Sequence, residues 1–264
     1  MRIVKRLNLT VGCNTCYLCQ TMSIKKHIPN FITSLNLVCG TIAVLFLLHN
    51  QLAFASIMVF AAAVFDFFDG MAARLLHVKS EIGKQLDSLA DMVSFGLVPG
   101  IILYRLLEHF TRIHSGDFWQ LLPFISILIP VFSALRLAKF NIDTRQDESF
   151  IGVPTPATAL FIASLDAPFG LYAHMGQYPF LGFAADPLFL AGTALFFSVM
   201  MVAEIPLFSL KFKTWAFKGN EIRYTLIMVA IGLIGVFSVA ALSLIIIIYI
   251  LLSLVNNVLQ TRRR

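Results

Sequence analysis

The chain has 264 residues, of which 58% are hydrophobic and only 13% charged, with a formal net charge of +6. A soluble domain carries about twice that share of charged residues, so the composition excludes a soluble enzyme and indicates a polytopic membrane protein. The positive balance reads as topology signals and contacts to lipid headgroups, and a nucleic-acid partner is not indicated.

Residues 1–21 are read as a dispensable extension, because Met22 opens a second basic start, MSIKKHIPNFIT. Cys13, Cys16 and Cys19 form C-x2-C-x2-C, a spacing that on paper could hold a metal or a cluster, but the expectation is that the prefix adds nothing to mechanism. It has no apolar core followed by a cleavage site, so it is not a signal peptide. Cys39, within an apolar run, reads as a small buried hydrophobe. Residues 22–264 form one membrane domain, entered by a short cytoplasmic interfacial segment, with Pro29 expected at a helix start.

Apolar runs predict spans at roughly 31–49, 51–75, 84–108, 118–140, 155–173 and 187–208, at about 20 residues per crossing. The last run, Tyr224 to Val258, would make a helix about 52 Å long against a hydrocarbon core of about 30 Å. It is therefore split near Gly235 to Ser238 into two short spans. The fold class is all-α, a bundle of eight transmembrane spans. From Met22 onward, an N-terminus in the cytoplasm puts every Lys and Arg inside except Arg105 and Arg112. Both termini are thus expected in the cytoplasm, the chain lying in the cell's inner membrane. Pro99, with Gly96 and Gly100 beside it, predicts a kink in the third span. Asp166 and Glu204 fall near prolines toward span ends, where hydration or packing accounts for them.

The informative stretch is DFFDGMAARLLHVKSEIGKQLDSLAD, residues 66–91. Asp66 and Asp69 are three residues apart and Asp87 and Asp91 four apart, so on helices each pair shares one face. The residues from Leu75 to Ile82 can turn the chain back, bringing four carboxylates together at the cytoplasmic interface. So many carboxylates stay ionised together only if cations neutralise them. Hard oxygen ligands favour Mg2+, Mn2+ or Ca2+. Gly70 and Ala73 are small enough to admit either a ligand or a neighbouring helix. Arg74 offers a planar fork to phosphate oxygens or else snorkels to the interface, and Gly83 makes room at the start of the third helix.

The spacing D-x2-D-G-x2-A-R-x8-G-x3-D-x3-D resembles the signature of the CDP-alcohol phosphatidyltransferase family, with all its fixed positions filled. The resemblance implies an integral membrane phosphotransferase that displaces CMP from a CDP-activated lipid by an alcohol. It implies that Asp66, Asp69, Asp87 and Asp91 hold divalent metal, with Asp91 also the candidate general base. It further implies that Gly70, Ala73, Arg74 and Gly83 meet the CDP-lipid and that the protein is a homodimer.

Four further stretches, SFGLVPG from Ser94, RLAKFN from Arg136, GVPTPATA from Gly152 and MVAEIPLFSLK from Met201, resemble the phosphatidylserine-forming branch of that family. That branch implies CDP-diacylglycerol and L-serine as substrates. Serine's carboxylate suits Arg136 and Lys139, and Asn141 and Ser94 offer hydrogen bonds. Lys139 stands where arginine is usual, keeping the charge but losing the fork. Other acceptors, glycerol 3-phosphate or inositol phosphate, remain open at this point, as does a divalent-cation transporter.

Overall fold

A buried stripe along each of the first two helices organises the bundle. In α1 (Gly12–Leu48) Thr33, Asn36, Gly40, Ala43 and Leu47 recur every three or four residues and are buried. In α2 (Leu52–Leu75) the stripe is Ala55, Val59, Ala62 and Asp69. These small side chains let the two helices pack closely around a tight turn in which Asn50 takes φ 58°. The opposite face of α2 presents Phe54, Val64 and Phe67, which are exposed and suit lipid.

The computed structural model describes residues 12–78, 80–112, 116–142, 150–166, 185–207 and 221–261, except for the side chains at 12–26, 150–151, 166, 206–207, 221–222 and 257–261. The C-x2-C-x2-C side chains lie outside the described residues. One expectation is corrected here. No helix starts near Pro29; α1 is already helical at Gly12, and Pro29 lies inside it. A proline removes one ladder bond from a helix interior. The helix nonetheless continues through Pro29, with the Thr33 hydroxyl 3.0 Å from the Pro29 carbonyl oxygen.

After a turn in which His77 takes φ 52°, α3 (Glu81–Asp91) begins at Ser80, whose hydroxyl accepts from the Gly83 N–H at 3.2 Å. A π-helical turn, Met92–Leu97, joins α3 to α4 (Val98–Thr111), so the third span runs unbroken from Glu81 to Thr111. Pro99, near the start of α4, has no N–H to offer the widened turn that precedes it. The fourth span comprises α5 (Asp117–Leu121), a 3-10 segment (Leu122–Ile127) and α6 (Leu128–Ile142). It packs on the third where Gly100 meets Pro130, leaving no room for a side chain at position 100.

Beyond it, β1 (Phe150–Ile151) pairs antiparallel with β2 (Pro206–Leu207), a two-residue bridge in an otherwise helical structure. Gly152, at φ +73°, lies against the Met201 carbonyl and donates its N–H to the Ile205 carbonyl at 3.0 Å. A side chain at 152 would collide with that backbone, which is why glycine opens the GVPTPATA stretch. The bridge brackets α7 (Thr155–Asp166) and α8 (Pro187–Val202), the latter capped by Asp186. Glu204 lies past the end of α8 and is exposed, as a hydrated helix end requires. Finally α9 (Glu221–Phe237) and α10 (Ala241–Thr261) are separated by a 3-10 turn in which Ser238 takes φ 51°, so the long run breaks where its length demands.

Among the described residues five helical runs are long and apolar enough to cross a membrane, and α7 and α8 are shorter apolar helices. The chain is therefore an all-helical membrane protein. Lys79, Arg145, Lys211, Lys213 and Lys218 lie outside the described residues.

Candidate metal centre and its cleft

The motif aspartates come from two helices packed against α1. Asp66 and Asp69 sit one turn apart near the end of α2, and Asp87 and Asp91 near the end of α3. Asp66, Asp69 and Asp87 each offer a carboxylate oxygen, and these three oxygens lie within 4.8 Å of one another. Oxygens on opposite sides of Mg2+ are about 4.2 Å apart, and around Ca2+ about 5 Å. The three groups therefore fit a hard divalent cation. No described Lys or Arg forms an ion pair with them, the described ion pairs all being made by Glu108.

Asp91 stands slightly apart. It is buried and accepts a hydrogen bond from Asn36 Nδ2 at 3.2 Å. Asp69 receives a bond of 2.6 Å from the Thr33 hydroxyl. Both donors belong to α1 and were missed in the sequence. A signal was available, since Asn30, Thr33, Asn36 and Gly40 fall on one face of an otherwise apolar helix, a costly placement for polar groups unless they have partners.

A cleft of about 340 Å³ opens beside the carboxylates, lined by α1, the end of α2 and the start of α3. It brings together Asp69, Gly70, Ala73, Gly83 and Asp87 from the motif. The two glycines differ in their surroundings. At Gly70 the nearest foreign atom to an added Cβ would be Arg74 Nη2 at 3.9 Å, so the space belongs to the cleft. At Gly83 it would be Asn30 Oδ1 at 2.7 Å, so this glycine also lets α1 and α3 approach. Arg74 is exposed and folds back along α2, its Nε donating to the Gly70 carbonyl at 2.9 Å. Its Nη2 lies beside Gly70, which lines the cleft.

The residues expected to meet the acceptor are placed less uniformly. Arg136 is 8% exposed, with its Nε unpartnered. Its guanidinium lies near the Phe140 ring, at 5.9 Å, and its charge interacts with Asp91. Lys139, one turn on, is exposed. Asn141 donates from Nδ2 to the Ser88 hydroxyl at 2.8 Å and accepts on its backbone carbonyl from Lys84 Nζ at 2.8 Å, tying the end of α6 to α3. Ser94 is fully buried and donates to the Asn36 backbone carbonyl at 3.0 Å. Cys39 is buried and free, as expected.

The model of the CDP-alcohol phosphatidyltransferase family matches residues 26–178. The chain is 33% identical over 184 residues to the CDP-diacylglycerol–serine O-phosphatidyltransferase of Bacillus subtilis, covering 68% of this chain and 89% of that one. It is 30% identical over 233 residues to the enzyme of the same name from Helicobacter pylori J99, covering 86% and 90%. Against the one from Mycobacterium leprae it is 35% identical over 145 residues, covering 52% and 46%.

Proposed function

The chain belongs to the CDP-alcohol phosphatidyltransferase family, a family of phosphotransferases, and we propose that it transfers the phosphatidyl group of CDP-diacylglycerol to L-serine, giving phosphatidylserine and CMP. Family membership sets the transporter reading aside. The observation that carries the site is the trio of mutually close carboxylates, two of which, Asp69 and Asp87, line a cleft. Serine as acceptor is supported by the names of the relatives and by Arg136, a buried cation with an unpartnered Nε–H.

Asp66, Asp69 and Asp87 would hold Mg2+ or Mn2+, with Ca2+ a third fit, and Asp91 stands beside them. A cation held there would supply positive charge to the donor's diphosphate and to the departing CMP. The donor's nucleotide end enters beside Gly70, Ala73 and Gly83, and Arg74 supplies a fork to its phosphates. Asp91 takes the proton of the serine hydroxyl, and Arg136 receives the serine carboxylate. Lys139, exposed at the end of α6, adds positive charge at the entrance. Ser94 and Asn141 already spend hydrogen bonds on helix contacts, so their share in serine binding is the lesser part of the reading. Cytoplasmic placement of the site and a homodimer belong to the same proposal.

The test is to offer CDP-diacylglycerol with L-serine, glycerol 3-phosphate or inositol phosphate to the purified protein and to follow lipid product and CMP. Phosphatidylserine and CMP should form in equal amounts with serine. A higher kcat/KM with either phosphorylated acceptor would overturn the assignment.

A further inference from the structure

The first helix does more than cross the membrane, because two of its side chains reach the motif carboxylates, one on each motif helix. Thr33 and Asn36 are three residues apart and share the buried face of α1. The single proton of the Thr33 hydroxyl has two acceptors, Asp69 Oδ2 at 2.6 Å and the Pro29 carbonyl at 3.0 Å. The bond to the carboxylate is shorter and charge-assisted, so it takes the proton and fixes the plane of the Asp69 carboxylate.

Asn36 is fully buried and donates from Nδ2 to Asp91 Oδ1 at 3.2 Å, while its own Oδ1 has no partner. Turning the amide over would aim that oxygen at a carboxylate, so Asp91 dictates the orientation at the cost of an unpaired acceptor. The contact is clasped from both sides. Ser94, three residues beyond Asp91, donates to the Asn36 backbone carbonyl, and Gly40 leaves room for Ser94 to lie against α1.

From these contacts we infer that Thr33 and Asn36 are positioning residues that divide the four carboxylates. Thr33 turns Asp69 toward the shared cation, and Asn36 holds Asp91 aside as the group that takes the acceptor's proton. The division agrees with the trio of mutually close oxygens, which includes Asp69 and omits Asp91. It rests on the metal reading of the site given above.

Mn2+ binding to the full-length protein in detergent, followed by electron paramagnetic resonance, separates the two roles when kcat and KM are measured alongside. Residues that orient metal ligands typically affect affinity or activity by roughly 10- to 100-fold. Thr33→Val, which keeps the shape and loses the hydroxyl, should raise the Mn2+ dissociation constant by about that much, and Thr33→Ser should restore it. Asn36→Leu should keep Mn2+ affinity within about twofold and lower kcat about tenfold or more, with both substrate KM values little changed. If Asn36→Leu does not accumulate, Asn36→Ala is read in the same way. Equal loss of Mn2+ binding at both positions, failure of Thr33→Ser to restore it, or a normal kcat in the Asn36 variant would each overturn the division. Absence of Mn2+ binding in the unaltered protein would instead overturn the metal reading beneath it.

Discussion

The two ends of the third span treat acidic side chains in opposite ways. Near its far end Glu108 is held by two arginines of the same segment, Arg105 at 3.1 Å and Arg112 at 3.2 Å. At its other end Asp87 and Asp91 meet Asp66 and Asp69, and no described Lys or Arg pairs with any of them. A helix that can neutralise a carboxylate with its own arginines does so at one end and, among the described residues, pairs none of the carboxylates at the other. The helix ladder that puts Glu108 within reach of both arginines is the same one that puts Asp87 and Asp91 on one face. The difference lies in what is placed beside the carboxylates.

The sharpest way to break this contrast is to neutralise the uncompensated end. Asp66→Asn, Asp69→Asn and Asp87→Asn should each lower transfer by about 100-fold or more while the protein still inserts, because each removes a charged oxygen from the trio. Excess EDTA should do the same to the unaltered protein, with recovery on adding Mg2+ or Mn2+. Full activity under chelation, measured as CMP release, would mean that the carboxylates serve structure alone.

Next in size comes Arg136, the one buried cation near that end among the described residues. Arg136→Ala should raise the KM for serine roughly 10- to 150-fold, the loss expected for a charge-assisted hydrogen bond of about 1.5 to 3 kcal/mol, and leave that for CDP-diacylglycerol nearly unchanged. The opposite split would move Arg136 to the donor side. Lys139→Arg, at an exposed position, should leave activity intact or raise it modestly.

The motif carboxylates were legible because charged residues at helical spacing are rare in an apolar chain, so their pattern stands out against its background. The break at Ser238 was legible for a different reason, since the length of the last run exceeds what a bilayer accommodates. Thr33 and Asn36 were not read, because single hydroxyl and amide groups in a membrane helix are ordinary and their partners lie on other helices, 36 and 55 residues away. The start of α1 was misplaced because a proline was taken as a boundary, although a helix can carry one in its interior at a local cost. Ser94 lies in a stretch that resembles a family segment, which says nothing of its partner on another helix. Its hydroxyl is engaged by the backbone of α1, which only the packing of two helices reveals.

The two motif glycines offer a smaller test of how far the acidic end is built around a ligand. Gly83→Ala meets Asn30 Oδ1, the end of a side chain that can turn aside, at 2.7 Å and Ser80 Cβ at 3.3 Å, so it should lower the Tm modestly. Gly70→Ala meets nothing closer than 3.9 Å and should keep the Tm, but narrow the cleft and raise the KM for CDP-diacylglycerol. Equal effects on Tm at the two positions would show that both glycines serve packing.

The smallest effect belongs to the compensated end. Glu108 and Arg105 are about one-third exposed and Arg112 is 70% exposed, so their pairs lie where water or headgroups screen them. Exposed ion pairs of this kind contribute about 0–1 kcal/mol. Glu108→Gln removes the charge, keeps the shape, and leaves two arginines that solvent can hydrate. It should therefore change kcat, both KM values and the Mn2+ affinity by less than about twofold, with a shift in Tm of a few degrees at most. A loss of transfer comparable to that of Asp87→Asn would mean that the two ends communicate through the third span, whose π-helical turn lies between them. The distinction drawn between a self-neutralised carboxylate and a metal-seeking cluster would then fail.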